Sequence, residues 1–178
     1  MAGVPFIVAP AAQEFAPAGL SPEQRVQELA HSKAAQVAPL YPGRITLGSD
    51  TMVAVDDRVL GKPHSPEEAV EMLQLLQGRT HRVLTGVWLM VADAAGNAVK
   101  ETGFTDMAEV EFYPMTRQEA VGYVATGEPM DKAGAYGIQG YGMRFVRGIQ
   151  GDFYTVMGLP GGKTVRALSD FAAETNFL

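Results

Sequence analysis

Acids and lysines recur at loop positions along this chain, in a combination suited to chemistry on a phosphate. The densest group is Gly127-Glu128-Pro129-Met130-Asp131-Lys132-Ala133-Gly134-Ala135-Tyr136-Gly137-Ile138-Gln139-Gly140, with two acids, one lysine and four glycines. Glycine lets a backbone approach a ligand closely, and loops held on a rigid scaffold commonly carry function. A long, well-capped turn would have a similar composition. Asp50 follows Ile45-Thr46-Leu47-Gly48 and is expected where a buried strand ends, a position at which the sheet sets a carboxylate's direction. An Asp-Thr turn is the plainer alternative. Lys62 stands between Gly61 and Pro63, a stiff frame suited to a phosphate contact, although an exposed loop lysine would look the same. Glu14, Asp50, Glu128 and Asp131, taken with Lys33, Lys62 and Lys132, read as the parts for metal-assisted attack on a phosphate. Acids hold a hard cation such as Mg²⁺, lysines neutralise oxygens, and one acid orients water.

The elements that must position these residues are partly legible. Val4 to Ala9 reads as a short strand, followed by an Ala/Pro-rich loop around Glu14. Ser21, Pro22 and Gln24 open a helix with a capping box. Its apolar stripe is Val26, Leu29, Ala30 and Val37, and Lys33 falls on the same face. Such a lysine either snorkels to the rim or points toward a bound anion. A turn at Asp56-Asp57 leads back through Val59-Leu60. Ser65, Pro66 and Glu68 open a second helix with Ala69, Met72, Leu73 and Leu76 inward, ended by Gly78. Arg82 to Val91 reads as β, Ala94 to Asn97 as a turn, and Ala108 to Phe112 as a half-exposed strand. Thr116 and Glu119 box a helix reaching about Ala125. Met143 to Val146 and Tyr154 to Met157 are strand candidates, and Gly161 to Ala173 a final helix. Strands and helices mix without strict alternation, which predicts a mixed rather than wholly parallel sheet.

The 178 residues suffice for one sizeable core, and 47% hydrophobic with 19% charged residues is ordinary for a globular chain. There is no cysteine, hence neither disulfide nor thiolate chemistry. The net charge of −6 argues against a general nucleic-acid-polymer binder. No apolar run reaches the ~18 residues of a membrane span, and Met1 to Val8 lacks the basic region of a secretory signal. A cytoplasmic protein is expected. Gly158-Leu159-Pro160-Gly161-Gly162-Lys163-Thr164 imitates a P-loop but is one residue short of the required spacing. His31, His64 and His81 show no metal-ligand spacing, and no serine lies in a hydrolase elbow.

Ser49-Asp50-Thr51, Gly61-Lys62-Pro63, Leu76-Gln77-Gly78-Arg79-Thr80-His81 and Thr85-Gly86-Val87 resemble, in order, the pattern of the Maf-like nucleoside triphosphate pyrophosphatases. Gly127-Glu128-Pro129, the run Asp131 to Gly140, and Gly158-Leu159-Pro160 continue it, so the resemblance covers nearly the whole chain. It implies one Maf-like domain over residues 1–178 with a mixed α/β (α+β) fold. That fold is a twisted sheet flanked by helices, in two lobes around a central cleft, shared with inosine triphosphate pyrophosphatases. It also implies hydrolysis of a nucleoside triphosphate to monophosphate and pyrophosphate with a divalent cation, Mg²⁺ or Mn²⁺. Asp50 matches the family's proton acceptor, activating water at the α-phosphorus. Glu14 matches a site acid that, with Asp50, serves the metal. Lys33 and Lys62 match phosphate-binding lysines, and Lys132 joins the substrate contacts. Thr51 and Gln139 match positions setting base preference in the dTTP/UTP branch. A glutamine amide can both donate to and accept from a pyrimidine edge.

Two departures stand out. The family opens with a strand and a Ser-x-Ser-Pro-Arg-Arg turn that grips phosphates, and this sequence has neither. A start placed downstream of that opening is the preferred reading. The alternative is a complete but degenerate chain, a nucleotide-binding or regulatory protein linked to cell division. A preference for 7-methyl-GTP or another modified purine triphosphate is a further alternative. Thr155 stands where relatives tend to have Asn, for which the sequence offers no account. A homodimer is also expected, from the family and from a sheet edge that a missing strand would expose.

Overall fold

The computed structural model describes residues 3–13, 15–56 and 58–175. Helix α1 (Pro22–Val37) begins as its residues dictate: Ser21 Oγ accepts from Gln24 N, and the Gln24 side chain accepts from Ser21 N. Strand β1 (Thr46–Val55) runs straight through Asp50. The strand end expected at Asp50 is absent: β1 is continuous with the extended run Met52 to Val55 and turns where expected, at Asp56, which takes a positive φ of 50° before β2 (Arg58–Leu60). Asp tolerates that region better than most residues. Polar residues at 49–51 do not interrupt β1 because Ser49 satisfies its hydroxyl inside the protein, as described below.

Helix α2 (Pro66–Leu76) is capped by Ser65, whose hydroxyl accepts from Glu68 N at 3.2 Å. The expected reciprocal bond is absent: the Glu68 carboxylate accepts instead from His64 N at 2.7 Å. Strands β3 (Thr80–Ala92) and β4 (Ala98–Phe112) are longer than their patterns suggest, and Asp93 accepts from the N–H groups of Ala95 and Asn97 in the turn joining them. Helix α3 (Arg117–Val124) has the full Thr116–Glu119 box. Strand β5 (Val146–Gln150), helix α4 (Phe153–Met157) and helix α5 (Gly161–Thr175) complete the chain.

Three short apolar runs depart from expectation. Val4 to Ala9 forms no strand, and Phe6, Ile7 and Val8 are exposed. Pro5 and Pro10 remove donors that a ladder would need. Met143 to Phe145 lies in a 3-10 turn, and the strand starts only at Val146. Tyr154 to Met157 is helical, with the Asp152 carboxylate accepting from Tyr154 N at 2.9 Å. A four-residue apolar run cannot by itself distinguish helix from strand; the cap decides it.

The fold is mixed α/β, with strand order β2-β1-β3-β4-β5. β1 pairs antiparallel with β2 (Val53 opposite Leu60), and β4 antiparallel with β5, with a bulge at Glu111/Phe112. By contacts the chain divides into two compact units: Met1–Asp50, Thr85–Asp106 and Gly158–Leu178 form one, and Thr51–Leu84 with Met107–Met157 the other. In the first, β3 is buried on both faces. Met90 and Ala92 pack with Ala34 and Ala38, while Leu89 and Val91 pack with Phe171 of α5. In the second, α2 and α3 bury Leu73, Leu76, Ala120 and Val124 with Val53, Val83 and Phe112. No helix among the described residues is long and apolar enough to cross a membrane.

Candidate active site

In the first unit, two glycines determine how closely α1 approaches the sheet. A Cβ on Gly48 would lie 2.2 Å from Ala30 O, and one on Gly86 would lie 2.4 Å from Val26 O. Backbone therefore lies directly on backbone, with Ala30 and Ala34 as small neighbours. Lys33 belongs to the same turn of α1, and Asp50 shares a face of β1 with Gly48 by the two-residue alternation of a strand. The result is a short ion pair: Lys33 Nζ donates to Asp50 Oδ1 at 2.6 Å. The lysine side chain is 23% exposed and the carboxylate 12%. Lys33 thus neither snorkels away nor stands empty-handed on an apolar face; its first partner is the predicted proton acceptor. Ser49 anchors the strand just before Asp50, its hydroxyl shared between Gly86 O at 3.0 Å and Gly158 O at 2.9 Å. A recess of about 190 Å³ opens here, lined by Lys33, Val37, Gly48, Ser49 and residues of the 9–11 segment. Glu14 lies outside the described residues.

The P-loop imitation resolves in this unit as well. Lys163 lies in the first turn of α5 and donates to the buried carboxylate of Asp106, so its charge is committed within the protein.

The second unit holds Thr51, Lys62, Lys132 and Gln139. Thr51 is half-buried in β1. Lys62 is exposed beside buried Pro63, and Gly134 N donates to Gly61 O at 3.0 Å, tying the glycine-rich loop to the lysine's frame. Lys132 Nζ lies 2.6 Å from Asp131 Oδ1. Asp131 is held below the usual carboxylate range by its bond to Lys132, then by that lysine's charge, with Lys62 adding to the effect. The structure thus groups Lys62, Asp131 and Lys132 electrostatically. Gln139 is exposed at the start of the 3-10 turn Gly140–Phe145, and no side-chain bond caps that turn.

Glu128 departs from its expected chemistry. It counts as a metal or phosphate acid by composition, yet its carboxylate accepts from Tyr123 Oη, Tyr141 N and Gly142 N. Burial raises its pKa, and the two backbone N–H groups, the Tyr123 hydroxyl and the Lys132 charge more than offset this, leaving it low. Tyr123 is a residue that the sequence reading missed. Only its place in the apolar pattern of α3 marks it, and that pattern predicts packing alone. A larger hollow of about 420 Å³ lies between β2 and α2 and contains none of the predicted residues. Its charged lining is Arg58, Glu68 and Glu71, too acidic a balance for a triphosphate.

Among the described residues no three His, Asp or Glu side chains form a cage for a metal. Mg²⁺ and Mn²⁺ do not need one: they take hard oxygen, commonly one or two carboxylates together with water and substrate phosphate oxygens. The carboxylate of Asp50 is a donor of that kind.

The chain is thus a mixed α/β protein that pins the Asp50 carboxylate to a helix lysine and ties a glycine-rich loop bearing Lys132 to the frame of Lys62. The chain matches the model of the Maf-like protein family over residues 1–171 and belongs to that family. It is 48% identical over 169 residues to a dTTP/UTP pyrophosphatase of Bacillus velezensis, covering 94% of this chain and 86% of the relative. A dTTP/UTP pyrophosphatase of Bacillus pumilus is 49% identical over 152 residues, with 85% and 77% coverage. One from Bacillus cereus is 47% identical over 172 residues, with 96% and 87% coverage.

Proposed function

We propose that this chain hydrolyses dTTP and UTP to the monophosphate and pyrophosphate. The observation that carries the reading is the Lys33–Asp50 pair, a carboxylate held at 2.6 Å by an ammonium, next to a serine bonded to Gly86 O and Gly158 O. Names of relatives nearly half identical along most of the chain support it. In the proposed reaction Asp50 accepts a proton from water as its oxygen bonds to the α-phosphorus. The bond from that phosphorus to the bridging oxygen breaks, and pyrophosphate leaves with the electron pair. Lys33 orients the carboxylate and, with Lys62 and Lys132, meets phosphate oxygens. Thr51 and Gln139 read the base, the Gln139 amide offering both a donor and an acceptor. When bound, a divalent cation, Mg²⁺ or Mn²⁺, would neutralise phosphate charge, and Asp50 and Glu14 are the residues proposed to hold it.

We place the enzyme in the cytoplasm, in a house-cleaning role that removes surplus or non-standard nucleotides as one Maf-like domain. Its partner is the nucleotide, not a nucleic-acid polymer or a membrane, and a homodimer is its proposed assembly. Pyrophosphate release should be measured with Mg²⁺ or Mn²⁺ across dTTP, UTP, 7-methyl-GTP and dITP. Turnover of dTTP and UTP is expected to fall by ~10²–10⁴ in Asp50→Asn, the usual weight of a general base. A wild-type preference for 7-methyl-GTP, or an Asp50→Asn protein of normal activity, would refute this reading.

A further inference from the structure

Two side chains in the second unit, Tyr123 and Glu128, converge on the loop that carries Gln139. Gly137 N donates to Tyr123 Oη at 3.0 Å, and Tyr123 Oη donates to Glu128 Oε1 at 2.9 Å. Glu128 then accepts from Tyr141 N at 2.8 Å through Oε2 and from Gly142 N at 3.0 Å through Oε1. The loop from 137 to 142 is thus held on both sides of Gln139 by one tyrosine and one carboxylate. The space is filled: a Cβ on Gly140 would lie 2.5 Å from Glu128 Oε2, and its φ of +72° also disfavours a side chain. A Cβ on Gly142 would lie 2.7 Å from Tyr123 Oη. The Lys132 stem runs along the same loop, since a Cβ on Gly137 would lie 3.0 Å from its Cε. Tyr123 is itself set in the core, its ring 5.3 Å from that of Phe145 in an edge-to-face contact.

We propose that Tyr123 and Glu128 form a clamp that positions Gln139, and with it the base preference of the site. Neither side chain needs to touch the substrate; both are positioning residues that act through the backbone of residues 137, 141 and 142. The inference rests on the dTTP/UTP reading above, in which Gln139 meets the base. Its chemistry is specific. A flexible glutamine can swing its amide to suit several base edges, whereas a pinned backbone restricts which donor and acceptor reach the base. Losing the clamp should therefore relax selectivity more than it slows the reaction.

The test uses the full chain with Tyr123→Phe and Glu128→Gln. Tyr123→Phe keeps the ring packing and removes only the hydroxyl; Glu128→Gln keeps the shape but sets an NH₂ where an acceptor is needed. Backbone amide exchange at Gly137, Tyr141 and Gly142 should accelerate at least ~10-fold in both variants, without loss of cooperative melting. The ratio of kcat/KM for dTTP over 7-methyl-GTP should fall ~10-fold, chiefly through a higher KM for dTTP. Unchanged exchange, or an unchanged ratio in an active enzyme, would overturn the clamp while leaving the pyrophosphatase reading intact. A wild-type chain inactive on both dTTP and UTP would instead overturn that reading and the selectivity role with it; amide exchange would then report the clamp alone.

Discussion

Lys33 Nζ lies 2.6 Å from Asp50 Oδ1, joining the C-terminal half of α1 to the middle of β1. Both groups are largely withdrawn from water, so each needs the other. Lys33→Met is expected to lower turnover ~10–100-fold through misplacement of Asp50, with Lys33→Arg restoring part of it. A cycle with Asp50→Asn in chemical denaturation should give a coupling of ~0.5–3 kcal/mol. Additive single effects would show that the contact does not contribute to stability.

Gly48 is what allows that contact. An alanine there would set its methyl 2.2 Å from a backbone oxygen of α1, a clash that no rotamer relieves. Gly48→Ala is expected to destabilise the chain by ~1–3 kcal/mol, the usual range for overpacking. It should also depress turnover by drawing Lys33 away from Asp50. A variant that melts at the wild-type temperature would contradict the close approach.

His81 should make stability fall in acid. It is 2% exposed, stacked edge-on against Phe112 and Tyr136, with Nε2 2.8 Å from Tyr136 Oη and no partner at Nδ1 among the described residues. Burial lowers its pKa from 6.5 to about 4. The neutral ring is the form that the fold accepts, so its stabilising contribution is complete above pH 6.5. Between there and pH 4 the unfolded chain binds the extra proton, and ~3 kcal/mol is lost in all. Urea midpoints at pH 7 and pH 5 should differ in the wild type, and differ less in His81→Phe. Equal slopes in both proteins would rule out His81 as the source.

Two ion pairs of different burial should behave differently. Lys163 meets Asp106, whose side chain is 8% exposed, whereas Arg117 meets Glu71 at 61% and 66% exposure. Lys163→Met is expected to cost ~1–3 kcal/mol because it removes a charged hydrogen-bond partner of a buried carboxylate. Arg117→Met should cost under ~1 kcal/mol. Thermal melts of the two variants suffice, and a reversed order would contradict the assignment of Lys163 to a structural role.

The local signals in this chain were readable because they depend on neighbours in sequence. Ser21 with Gln24, Thr116 with Glu119, and the stripe Val26, Leu29, Ala30 and Val37 each specify a helix end or face through contacts three or four residues apart. The family pattern around Asp50, Lys62 and the run 127–140 was readable for the same reason. Tertiary structure decided what lies across long separations. Whether Asp50 ends a strand depends on the bonds that Ser49 makes to residues 37 and 109 positions away. Whether Lys33 faces solvent or an acid depends on how far Gly48 and Gly86 let a helix approach. Glu128 looks like a metal acid in sequence, and only the fold brings Tyr123, Tyr141 and Gly142 to its oxygens. A side chain's type states which bonds it can form; packing, which brings distant backbone within 3 Å, selects the ones it does form.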